Sequence, residues 1–91
     1  MNVNINKIRK KLDNIDIKLL KIIKERSLLV DQILRHKKHK NEIIDKKRIN
    51  FILKKIKKKS IQLKIDPTIT VAIWKGMIQS FIKYEYKKFK K

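Results

Sequence analysis

The sequence contains no cysteine, which excludes disulfides and thiolate metal sites. It has a single glycine, Gly76, and a single proline, Pro67. Both residue types punctuate turns, so their scarcity leaves room for little besides helix. No sustained apolar–polar alternation bounded by turn residues occurs, and strands are not expected. Only two histidines are present, His36 and His39, too few for a metal site, so no metal is expected. No apolar run approaches the length that spans a bilayer. The start, Met1-Asn2-Val3-Asn4-Ile5-Asn6, lacks the basic-then-apolar layout of an export signal. These absences lead to the expectation of a soluble cytoplasmic protein with no membrane partner.

Acidic residues are also scarce, 8 against 27 basic ones, for a formal net charge of +19. A balance this basic ordinarily points to nucleic acid or an anionic membrane surface. Here the cations are 23 lysines and only 4 arginines, alongside abundant isoleucine and asparagine. That bias reads as compositional, with lysine as the default cation on outward positions, including the 54–59 run. The aromatics cluster at core spacing on the last predicted helix, and no glycine-containing helix-turn-helix is present, so no specific nucleic-acid partner is expected. A basic nucleic-acid-binding helical module and a structural coiled-coil partner remain the competing classes. If lysine is the default, the four arginines, Arg9, Arg26, Arg35 and Arg48, become informative, because a planar bidentate donor is not replaced by a point charge.

Ninety-one residues make one domain, residues 1–91. The first helix is predicted from about Asn4 to about Lys38. Its seam is Ile8, Leu12, Ile15, Leu19, Ile22, Leu29 and Ile33, in alternating steps of four and three. At 1.5 Å per residue this is a rod on the order of 50 Å long, too long for the rest of so small a chain to cover. It calls for a second copy. Two cations break the apolar rows: Arg26 in the seam, and Lys37 one turn beyond the neighbouring row of Leu20, Ile23, Val30 and Leu34. An unpartnered buried cation costs several kcal/mol, and no acid in the seam neutralises either, so an anionic ligand is the expected partner.

A polar connection at 36–41 leads to a second helix from about Glu42 to Lys59, with Asp45, Arg48, Ile52 and Ile56 as its inward row. Residues 60–65 read as its fraying end. Asp66-Pro67 is a strong start for a third helix, with Asp at the N-cap and Pro at the first helical position. That helix runs to about Phe89 and buries Ile73, Trp74, Met77, Ile78, Phe81, Ile82 and then Glu85. The fold class is all-α, with three helices and one long N-terminal helix.

The polar intruders are Arg9, Arg26, Lys37, Asp45, Arg48 and Glu85. Three arginines and a lysine with two acids among them suit a small molecule carrying two carboxylates and neutral oxygens. No nucleophile has a base beside it, and no glycine-rich loop cradles phosphates. Any chemistry would rest on orientation and electrostatics. The competing reading is internal pairing: Asp45 with Arg48 as an i,i+3 bridge, and Arg26 with Glu85.

The pattern Ile8-Arg9-x-x-Leu12-x-x-Ile15-Asp16-x-x-Leu19-Leu20, then Glu25-Arg26, Lys37 and Asp45-x-x-Arg48, resembles the small all-helical chorismate mutases. The likeness runs from about Asn6 to about Phe89 and takes in the Asp66-Pro67 start and Ile73-Trp74. It implies an intertwined helical homodimer with two sites, each built from both chains. It also implies the rearrangement of chorismate, a small dicarboxylate, to prephenate, without cofactor or metal. On this resemblance Arg26 holds one substrate carboxylate and Arg9 reaches across from the partner chain to a carboxylate. Arg48 orders the substrate's acidic side chain, Lys37 donates to the ether oxygen, and Asp45 sits near the hydroxyl. Glu85 occupies the last important place, where it donates to the ether oxygen only when protonated, so the rate is expected to fall as pH rises. Two positions depart from the pattern. Ile49 stands where many members carry Glu, and Phe81 where many carry Ser. Both departures also occur in the related isochorismate-pyruvate lyases, which leaves that activity as the alternative.

Overall fold

A computed structural model describes residues 2–90, with side chains described from residue 4. Helix α1 covers Asn2–His36, α2 covers Lys46–Gln62 and α3 covers Pro67–Lys88, with a short 3-10 turn at Lys40–Glu42. No strand occurs among the described residues. The all-α, three-helix architecture is thus the one expected. Among the described residues, no helix is long and apolar enough to cross a membrane.

The chain divides into two compact units, Met1–Ile33 and Leu34–Lys91. The first is a single helical rod. Its seam residues Ile8, Leu12, Ile15, Leu19, Ile22, Leu29 and Ile33 are each 52–59% exposed. Arg26, in the gap of that seam, is half-buried.

The second unit has a core. Leu34, Ile43 and Ile78 are its buried apolar residues. α2 packs on α3, presenting Ile49, Ile52, Leu53 and Ile56 half-buried and Ser60 buried. That row differs from the predicted one because α2 starts later. Asp45 caps the helix: its Oδ1 accepts from the backbone N–H of Arg48 at 3.0 Å. A cap residue lies outside the helical spiral, so Asp45 leaves the inward row; Arg48, inside the helix, lies about 100° round from Ile49 and falls off the packed face, and both are exposed. The predicted i,i+3 ion pair is replaced by this capping bond.

α2 also ends later than expected, because residue 60 is packed rather than frayed. Ser60 is 4% exposed. Its hydroxyl donates to the Ile56 carbonyl at 2.6 Å and lies 2.6 Å from the Thr70 hydroxyl of α3. The helix then closes with the Ile65 N–H on the Ser60 carbonyl and the Lys64 N–H on the Ile61 carbonyl. This pairing is the Schellman arrangement. It sets Lys64 at φ 60°, left-handed backbone where glycine is favoured. α3 opens as predicted, with Asp66 at the N-cap and Pro67 next. Its inward residues match the predicted row except Ile73, which is exposed.

Two outcomes follow. Left-handed backbone costs a side-chain-bearing residue roughly 1 kcal/mol, so Lys64→Gly should stabilise the chain by about 0.5–1 kcal/mol and raise Tm by a few degrees, read by thermal unfolding. The Asp66 carboxyl is held below its ordinary pKa by the Thr68 hydroxyl and then by the Thr68 backbone N–H. A depressed folded pKa gives stability that is present above the unfolded value and lost as pH falls through the folded one. Asp66→Asn, which still caps, should flatten the acid limb of a Tm-against-pH curve.

Candidate active site

The second unit brings together two of the predicted charged residues from distant parts of the chain. Lys37 lies just past the end of α1, and not on the helix as the apolar row suggested. Its backbone N–H closes the end of α1 on the Leu34 carbonyl at 3.1 Å. Its Nζ donates to Glu85 Oε1 at 3.0 Å and reaches the Ile43 carbonyl at 3.4 Å. The side chains of Lys37 and Glu85 are only 17% and 9% exposed. The acid missing from the seam is therefore supplied by α3. A lysine at this depth needs such a partner, and an ammonium–carboxylate contact of this length is a charge-assisted bond.

Lys37 also lines an open cleft of about 560 Å³, together with Glu42, Ile44, Asp45, Lys46 and Lys47. That volume suits a small molecule. Its lining thus carries three ammonium groups and two carboxylates. The start of α2 adds to the positive potential. Lys46, Lys47 and Arg48 occupy its first turn, and no acid does. Cations at the positive end of a helix are unfavourable by some tenths of a kcal/mol each. Asp45 offsets part of this as the cap, and an anion in the cleft would offset more.

The remaining site residues are placed as follows. Arg9 is exposed on α1, and Arg26 is half-buried with its Nη1 atom withdrawn from solvent. The Arg48 guanidinium lies over the Phe51 ring, 5.3 Å from its centroid. Ile49 is half-buried on the face of α2 that packs. Phe81 is half-buried on α3 and meets Tyr84 edge-to-face at 6.2 Å. Sequence reasoning passed over Ile43, which is 3% exposed and supplies Lys37 with its second acceptor. The signal was available, since Ile43-Ile44 is an apolar pair inside an otherwise polar connection. Among the described residues no group of three or more His, Cys, Asp or Glu is placed to hold a metal ion.

Fold and cleft together define an all-helical protein with an open recess of a size fit for a small molecule, lined by three lysines and two acids. A family model described as chorismate mutase type II matches residues 8–86. That match spans most of the chain, and the protein belongs to the type II chorismate mutase family. Comparison with curated proteins and with solved structures gives no match.

Removing one half of a nearly buried ion pair strands the other. Glu85→Ala should lower the unfolding free energy by about 2–4 kcal/mol, whereas the double replacement Lys37→Met with Glu85→Leu should return most of it. Denaturant unfolding of the four forms measures both, and equal losses in the single and double variants would count against the pair.

Proposed function

We infer that the protein rearranges chorismate to prephenate, as a cofactor-free isomerase in the route to aromatic amino acids. The observation that carries this is the Lys37–Glu85 pair beside a cation-rich cleft, in a chain of the type II chorismate mutase family. The rearrangement is unimolecular, so the protein needs to supply only shape and charge. Arg26 and, from a second copy, Arg9 hold the substrate's two carboxylates. Clamping both folds the enolpyruvyl arm over the ring, a proximity effect worth several kcal/mol. Asp45 and Arg48 order the polar edge of the substrate, and Ile49 and Phe81 shape the apolar walls. Negative charge grows on the ether oxygen in the transition state. Lys37, positioned by the Glu85 carboxylate, donates to that oxygen and so favours the transition state over the ground state.

The same reading makes residues 1–91 one catalytic domain of a homodimer working in the cytoplasm. The exposed seam of α1 supports the dimer. A second exposed apolar group, Ile61, Leu63, Ile65, Ile69 and Ile73 in the second unit, supports it further. Burying each such side chain is worth about 1.5–3 kcal/mol.

Chorismate and isochorismate supplied separately test the reading. Prephenate from chorismate is expected. Salicylate and pyruvate from isochorismate would instead select the lyase, the outcome that Ile49 and Phe81 favour. Lys37→Ala should lower kcat by about two to three orders of magnitude, and Arg26→Ala should damage both KM and kcat. In sedimentation the wild type should run as a dimer, and Ile15→Asp with Leu19→Asp should dissociate it.

A further inference from the structure

Past Lys47 of the cleft rim and Arg48, the outward face of α2 belongs to none of the chemistry above. Lys47, Phe51, Lys54, Lys55 and Lys58 recur at steps of four, three, one and three along it, and all five are exposed. They lie opposite the row of Ile49, Ile52, Leu53, Ile56 and Ser60 that packs, as a period of 3.6 requires. From Lys47 to Lys58 the stripe spans about 16 Å. The whole of α2 carries seven lysines and one arginine, with no acid to neutralise them.

Lysine bias alone would make such a stripe, but it would not set an aromatic ring in the middle. Phe51 is 54% exposed. It stands apart from the other aromatics, which follow residue 70 in the sequence. Arg48 and Lys55 flank its ring, at 5.3 and 6.0 Å from the centroid. Both cations lie over the ring, so a base stacking on Phe51 would displace one of these long side chains towards the neighbouring phosphates, which joins the two elements that bind an unpaired nucleotide, stacking and charge.

We propose that this face of α2 is a docking surface for single-stranded RNA. Duplex DNA fits it poorly, because paired bases keep their faces inside the stack and leave Phe51 nothing to meet. A bilayer also fits poorly, because an interfacial helix needs a broad apolar face, and the apolar row of α2 is turned onto α3. RNA offers unpaired bases in loops and single strands together with a phosphate chain.

Fluorescence anisotropy with a labelled oligouridine of about ten nucleotides tests this over a range of salt. Phe51→Ala should weaken binding about tenfold with the salt slope unchanged, since stacking is not electrostatic. Lys54→Gln with Lys58→Gln should reduce the slope by about 1.4, or 0.7 for each lost single-strand contact. The matched pair Lys83→Gln with Lys87→Gln, exposed on α3, should do markedly less. Circular dichroism checks that each variant stays helical. An unaltered affinity in Phe51→Ala overturns the proposal, as does equal weakening by the α2 and α3 pairs, which would make the attraction diffuse. Tighter binding to duplex DNA, to single-stranded DNA or to phosphatidylserine vesicles overturns it as well.

Discussion

Seven aliphatic side chains of α1, spaced as one seam, each keep more than half of their surface in water. Exposed apolar residues scattered singly are ordinary, but a contiguous apolar row is not. The constraint is geometric. A 35-residue helix has more length than two shorter helices can line, so its stability must come from something laid alongside it. Helices in proteins gain most of their stability from packing an amphipathic face. The rest of the architecture is subordinate to that need. The helical pair α2 and α3 forms its own small core around Ile43 and Ile78, and leaves a further group of aliphatics uncovered where the two helices join. The proposed second copy would meet both shortages at once, and in that reading dimerisation and activity are inseparable.

Charge is used differently in the interior and on the surface. Outside, lysine is abundant and mostly interchangeable, and few of its positions carry an argument. Inside, Lys37 is committed to one carboxylate and one carbonyl. The pair fastens the connection after α1 to the final turns of α3, elements that are otherwise far apart in sequence. It does so at the edge of the cleft, so one contact serves both as a structural tie and as a group available for chemistry. The start of α2 repeats the theme in weaker form: three cations at the positive end of a helix, with only Asp45 against them.

The number and type of the helices could be read from the sequence because apolar spacing and two punctuating residues determine them. Asp66-Pro67 marked the start of α3 correctly, since an N-cap and a first-position proline are local signals. Spacing predicts α2 from about Glu42, four residues before its start at Lys46, because periodicity does not say which residue accepts the N–H of the first turn. The predicted inward row of Asp45 and Arg48 gives way to Ile49, one residue round the helix. The sequence pattern reads residues 60–65 as a fraying end, whereas Ser60 is packed. Its burial depends on the Thr70 hydroxyl, a contact with another helix that periodicity does not report. Lys37 and Glu85 were each flagged as charges in apolar rows, yet their meeting was not anticipated, because two residues 48 positions apart share no local signal.

That pairing changes how the proposed catalysis must work. With no guest bound, the Lys37 ammonium already has an anionic partner at 3.0 Å. A neutral ether oxygen is a weaker acceptor than a carboxylate, so ground-state substrate gains little by competing for the same protons. As the bond breaks and negative charge collects on that oxygen, the competition tilts towards it. In the proposed mechanism, an ion pair that rests closed would withhold Lys37 from the substrate and yield it to the transition state. Differential binding of that kind raises the rate without tightening substrate binding. A lysine standing free in the cleft would instead spend part of its attraction on the carboxylates of the bound substrate.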